Sequence, residues 1–121
     1  MVIAVNKVIY NVPCDIYKSL IKITFCPDAF KDLIGGEFDS QCYEAATFRH
    51  EDYIAIYIPV VNGGISVPTV CHESFHCADF IFERVGAYIT ENTGNEHMAY
   101  LIGWISGRIF DCLDIHNKYS K

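Results

Sequence analysis

Ser66-Val67-Pro68-Thr69-Val70-Cys71-His72-Glu73-Ser74-Phe75-His76-Cys77-Ala78-Asp79-Phe80-Ile81-Phe82-Glu83-Arg84-Val85-Gly86 is the stretch that decides the fold. It carries both ends of a helix. Ser66 is a hydroxyl N-cap, Pro68 is tolerated in the first turn where its missing N–H costs nothing, and Gly86 is a C-terminal stop. The spacing predicts a helix over about 67–85. On a helical wheel Cys71, Phe75, Ala78 and Phe82 form an apolar stripe expected to face the core. His72, His76, Asp79 and Glu83 fall on a neighbouring stripe, so core burial and access to the imidazoles are expected to be separate.

Within that helix His72-Glu73-Ser74-Phe75-His76 is an H-E-x-x-H match. Residues i and i+4 stand one turn apart on one helix face, so both imidazoles can reach one tetrahedral zinc ion. Glu73 is turned about 100° from His72, which is too far round for a ligand but beside an open coordination position. A water there, its pKa lowered by the metal to roughly 7, can lose its proton to Glu73. The spacing therefore points to His72 and His76 as metal ligands and Glu73 as general base. Asp79 and Glu83 are candidate acceptors for the outer N–H of a ligand imidazole. The competing reading is a pair of surface histidines on an amphipathic helix.

Moving outward toward the C-terminus, Thr93-Gly94-Asn95 opens a second helix, expected over about 95–113, with Thr93 or Asn95 as its cap. A catalytic zinc keeps three protein ligands and one open position. Glu96, in the first turn of this helix, is the expected third ligand, with His97 as the competitor. Glu96 shares one side of the helix with Ala99, Gly103 and Gly107. Such small residues allow two helices to approach closely, which would carry Glu96 toward the histidines. Tyr100, one turn on, is a candidate catalytic hydroxyl that either stabilises an oxyanion or orients Glu96; the alternative is an aromatic ring packed between helices.

Moving outward toward the N-terminus, residues 41–60 read as a β-hairpin. Its arms are Gln41–Phe48 and Tyr53–Pro59, with the polar tetrad Arg49-His50-Glu51-Asp52 between them. Ile54, Ile56 and Ile58 alternate with Tyr53, Ala55, Tyr57 and Pro59, so one face is wholly apolar. Residues 1–40 carry weaker signals: a strand within Val2–Val12, strand or short helix over Ile16–Phe25, and a helical turn over Asp28–Ile34 ended by Gly35-Gly36. His50 and His116, each alone among polar neighbours, are expected at the surface. The fold class expected is α+β, a single domain over 1–121. A short antiparallel or mixed sheet with the hairpin packs on two long helices.

His72-Glu73-x-x-His76 followed by a helical glutamate resembles the zincin metallopeptidases in their gluzincin arrangement. The compact form, with Glu96-x-x-Ala99-Tyr100-Leu101-x-Gly103 on the second helix, is similar to small metallopeptidase-like proteins encoded by bacteriophages. The resemblance covers 66–113 well, 41–60 loosely, and 1–40 not at all. It implies one zinc ion per chain, Glu73 as the base, and a peptide or protein substrate bound as an added strand along a sheet edge, for which Tyr53–Pro59 is the expected strand. Two departures stand out. The third histidine of the metzincins is missing, and Tyr100 occupies the place where gluzincins often carry an aspartate.

Composition narrows the alternatives. Of 121 residues, 51% are hydrophobic and 14% aromatic, which favours a packed core over disorder. The net charge of −6 and pI near 5.2, with Lys and Arg scattered, argue against nucleic acid and against a membrane surface. The opening MVIAVNKVIYNV has no basic n-region, so the expected compartment is the cytoplasm, a host's if the chain is phage-encoded. Six cysteines without a C-x-x-C pair are then expected to be reduced, mostly buried thiols. A zinc hydrolase of metallopeptidase type is the leading functional reading. The alternative is a non-catalytic protein of zincin fold that binds a host or virion protein, a role that mean hydropathy of +0.18 would suit.

Overall fold

The computed structural model describes residues 7–39, 44–87 and 94–119. Four strands form one mixed sheet: β1 (Tyr10–Cys14), β2 (Ser19–Thr24), β3 (Ala46–Arg49) and β4 (Ile54–Tyr57), in the order β1-β2-β4-β3. Helix α1 (Pro27–Ile34) follows β2, and the two long helices α2 (Val67–Val85) and α3 (Glu96–Tyr119) close the chain. This is the expected α+β class. The second long helix runs six residues past its expected end at Leu113.

The period-two alternation of β4 explains the layering. Ile54, Ile56 and Ile58 are buried with Ile21 and Ile23 of β2 against Val70, Ile81 and Phe82 of α2 and Ile105 and Ile109 of α3. Ala55 and Tyr57 point the other way and are buried against Phe30 of α1. Phe30 meets Phe38 edge to face at 4.8 Å and Tyr57 at 6.0 Å, and the Tyr53 hydroxyl donates to the Leu33 carbonyl at 2.7 Å. With a helical layer on each face, β4 reads as a continuous apolar run because neither face meets water.

Sheet order corrects one expectation. β4 was the expected edge, yet it pairs parallel with β2 (Ile21 opposite Ile54) and antiparallel with β3 (Ala46 opposite Tyr57). It is an interior strand, because its two buried faces and Ile-rich sequence suit the centre. The free edge beside α2 belongs to β3. The N-terminal part joins the same sheet: β1 and β2 form an antiparallel hairpin through a 3-10 turn at Asp15–Tyr17. Of the strand expected within Val2–Val12, residues 2–6 lie outside the described residues, as does the start of the Gln41–Phe48 arm.

Helix α2 begins and ends where its signals predict. The Ser66 hydroxyl accepts from the Thr69 N–H at 3.4 Å, and Gly86 closes the helix with φ +76°, a left-handed conformation that suits glycine. Its buried face, however, is turned by about a quarter of a turn from the expected stripe. Val70, Glu73, Ser74, Cys77, Ala78, Ile81 and Phe82 are buried, whereas Cys71 is exposed and Phe75 is 41% exposed. The sheet and α3 together cover a wide arc, and small residues at 74, 77 and 78 let α2 lie close against both. Helices α2 and α3 are antiparallel. The Ser106 hydroxyl donates to Ser74 Oγ at 3.0 Å, while His97 stacks on Phe82 at 5.0 Å.

The cysteines follow this packing. Cys14, Cys26, Cys77 and Cys112 are buried free thiols and Cys71 is an exposed one; Cys42 lies outside the described residues. Burial pushes the Cys77 thiol up, and the Cys112 thiol is pushed up to about 11, chiefly by burial, with Asp111 adding to the rise and Arg108 opposing it. No helix among the described residues is long and apolar enough to cross a membrane.

Candidate metal centre

His72 and His76 converge. Their Nε2 atoms stand 3.1 Å apart, the rings are nearly perpendicular with centroids at 4.7 Å, and both lie on the outward arc of α2. A tetrahedral ion about 2.0–2.1 Å from each of two imidazole nitrogens holds those nitrogens roughly 3.3 Å apart. The observed separation is close to that spacing. Without an ion, one imidazole N–H can donate to the other ring's free nitrogen, so the pair is chemically complete in either state.

Glu73 lies on the sheet side of the same turn and is only 6% exposed. A buried carboxylate needs a partner. Thr47 of β3 supplies one: its hydroxyl donates to Glu73 Oε1 at 2.8 Å and lies 3.3 Å from the Glu73 carbonyl oxygen. The other carboxylate oxygen, Oε2, is 3.8 Å from His72 Nε2. One oxygen is therefore pinned to the sheet while the other faces the imidazole pair. Alternation along β3 explains the placement. Thr47 and Arg49 reach α2, the latter as an ion pair with Glu83 at 2.7 Å, while Ala46 and Phe48 pack on the α1 side.

The structure does not bring Glu96 to the histidines. Ser106 faces Ser74, which lies between His72 and His76, and Glu96 is ten residues earlier on α3, roughly 15 Å along its axis. The stripe of small residues that was to bring the helices together faces outward instead. Glu96, Ala99 and Gly103 are exposed, and a Cβ built on Gly103 or Gly107 would meet nothing within 4 Å. The cause is the apolar pattern of α3, where Met98, Leu101, Ile105, Ile109 and Cys112 claim the buried arc and leave the small residues opposite. Glu96 as third ligand is thus corrected.

His97 does not replace it, since its ring is stacked on Phe82. Tyr100 is 74% exposed and lines a different cavity, of about 520 Å³, with Tyr17, His97 and Trp104. Its hydroxyl is therefore not part of the His72–His76 site. Glu83 is committed to Arg49, and no hydrogen bond links Asp79 to either imidazole. His116 is not an isolated surface residue: its ring lies 5.0 Å from that of Phe25, and its Nδ1 is 3.2 Å from the Tyr10 hydroxyl. His50 stacks on Tyr53 at 4.1 Å and accepts the Asp52 N–H.

Among the described residues no three His, Cys, Asp or Glu side chains already stand together as a metal cluster. A cleft of about 340 Å³ opens beside His72 and Glu73, lined also by Glu44, Ala45, Pro68 and Thr69. Sequence reasoning missed Thr47, the residue that anchors Glu73. Thr47 was visible in principle, because period-two alternation from Phe48 puts it on the opposite face of β3. No family model, curated protein or solved structure matches this chain.

Proposed function

We propose that the chain is a metal-dependent hydrolase of metallopeptidase type, with His72 and His76 as zinc ligands and Glu73 as general base. The observation that carries this reading is the convergence of the two Nε2 atoms at 3.1 Å beside a buried, anchored carboxylate. A carboxylate held in that position meets the geometric requirement on a general base. Zinc, when bound, supplies a Lewis acid that polarises a carbonyl and acidifies water. The chain's own residues do the rest. The imidazoles would hold the ion through their convergent Nε2 atoms. Thr47 fixes one oxygen of Glu73, so the other is aimed at the reacting face without a search over rotamers. Glu73 takes a proton from the attacking water and returns it to the leaving amine.

A peptide substrate suits the free edge of β3 rather than β4. Added alongside Ala46–Arg49, an extended peptide would run past the turn of α2 that carries the histidines, its backbone held by strand pairing. Zinc titration by calorimetry with mass spectrometry under native conditions tests the metal reading. The expected result is one ion per chain, with His72→Ala and His76→Ala each abolishing tight binding. A wild-type chain that takes up no zinc ends it. The second reading, a zincin-like binding protein without catalysis, draws on the exposed Ile16, Tyr100 and Trp104 around the larger cavity. Glu73→Gln separates it from the first.

A further inference from the structure

We propose that the cavity between the β1–β2 turn and the N-terminal turns of α3 binds a small organic cation, a protonated or quaternary amine on an apolar body. The inference is independent of the metal reading and uses none of its residues. The cavity holds about 520 Å³, inside the roughly 300–1,000 Å³ typical of small-molecule sites. One wall is a face of α3 formed by His97, Tyr100, Leu101 and Trp104, whose helical spacing puts them on one side. The other is the 3-10 turn, which brings Asp15 and Tyr17. Phe82 of α2 sets two of the rings: Tyr17 leans on it at 5.7 Å and His97 stacks on it at 5.0 Å. Lys18, in left-handed backbone with φ +49°, closes the turn by donating its N–H to the Asp15 carbonyl. The fold itself therefore sets both walls.

Charge selects the occupant. Among the described residues the lining holds no Lys or Arg, and its one carboxylate, Asp15, takes part in no ion pair. The Cys14 thiol also lines the cavity. Burial, chiefly, raises it above its ordinary pKa, with a Tyr17 backbone hydrogen bond opposing and Asp15 adding to the rise. It therefore stays neutral near pH 7, and Asp15 carries the negative charge of the site. An anion meets no opposite charge there, and a chain of net charge −6 favours the approach of cations. The rings complete the match, because aromatic faces attract ammonium groups. Tyr100 and Trp104 are 74% and 38% exposed, so both are open to a guest. Trp104 already takes the Arg108 guanidinium at 5.7 Å. Arg108 is not part of the lining, so the cavity meets a part of the indole that the guanidinium leaves open.

Trp104 is the only tryptophan of the sequence, so its fluorescence reports on this cavity. The full chain is titrated with benzyltrimethylammonium, benzyl alcohol and phenylacetate at fixed ionic strength, with calorimetry for the affinities and thermal melts to confirm folding. The cation is expected to change the fluorescence saturably, with benzyl alcohol at least roughly 3-fold weaker and phenylacetate weaker still. Asp15→Asn and Tyr100→Ala should each weaken the cation by roughly 2–5-fold, the effect of losing one exposed charge pair or one cation–π contact. Asp15→Asn should also narrow the gap between the cation and benzyl alcohol. Asp114→Asn, roughly 15 Å further along α3 than Trp104, should change nothing. No saturable signal with the cation, equal affinity for the three probes, or full cation affinity in Asp15→Asn overturns the inference. A lysine-rich peptide that shifts Trp104 where benzyltrimethylammonium does not also overturns it, in favour of a protein-docking surface.

Discussion

The hydroxyl of Thr47 on β3 donates a 2.8 Å hydrogen bond to Oε1 of Glu73 on α2, tying the acidic residue of the H-E-x-x-H segment to the sheet beneath it. Two facts give this bond weight. Glu73 is buried, and no other hydrogen bond to its carboxylate is present among the described residues. Breaking it strands a polar group away from water, which costs more than the bond itself contributes.

Thr47→Val keeps the shape and removes the donor, so it is expected to destabilise the fold by about 1–3 kcal/mol. Thr47→Ser should recover most of that loss. Replacing both partners, as in Thr47→Val with Glu73→Met, should cost less than the single Thr47→Val change, because no buried carboxylate is then left unpaired. Urea unfolding of the four chains measures all of this. Equal midpoints for wild type and Thr47→Val would show that the carboxylate is solvated from elsewhere.

The orientation of α3 is testable without any ligand. Gly103 lies on the exposed arc and Gly107 is only half-buried, and a Cβ at either meets nothing within 4 Å. Gly103→Ala and Gly107→Ala should each stabilise the protein by roughly 0.5–1 kcal/mol, the ordinary gain from removing a glycine from a helix interior. A close helix–helix approach along these glycines predicts the opposite sign, through a clash. Thermal melts of the two variants decide between the arrangements, and a drop in melting temperature would place Glu96 back in contention.

How far the sequence could be read follows from where each signal resides. Local chemistry was legible. The Ser66 cap, the Gly86 stop and the alternating isoleucines of β4 each depend on residues a few positions apart, and each appears where expected. Non-local geometry was not. That β4 lies inside the sheet depends on its parallel pairing with β2, thirty-three positions away at Ile21–Ile54, and no turn sequence announces such a pairing. The rotation of α2 was hidden for a related reason. Apolar or small residues occupy most of its circumference, so Cys71 and Phe75 are as plausible inward as Val70 and Cys77 until the sheet and α3 choose the arc. Glu96 failed with α3's orientation, because small residues mark close approach only when the larger apolar residues do not claim the opposite face.

Glu73→Gln separates a catalyst from a binder. The amide is nearly isosteric with the carboxylate and its oxygen can still accept from Thr47, so fold and zinc content should be unchanged. It cannot take up a proton from water. If the chain is a hydrolase, turnover should fall by about 10²–10⁴, the usual contribution of a positioned base, while His72→Ala loses metal and turnover together. If the chain acts by binding alone, its effect in cells should survive Glu73→Gln and weaken with His72→Ala. The readout is cleavage of a mixed peptide library by mass spectrometry, with a cellular phenotype in parallel. Undiminished cleavage by a zinc-loaded Glu73→Gln chain would remove Glu73 from the chemistry. A wild type with no cleavage, paired with a cellular effect that Glu73→Gln leaves intact, would leave the buried carboxylate a structural strut between α2 and β3.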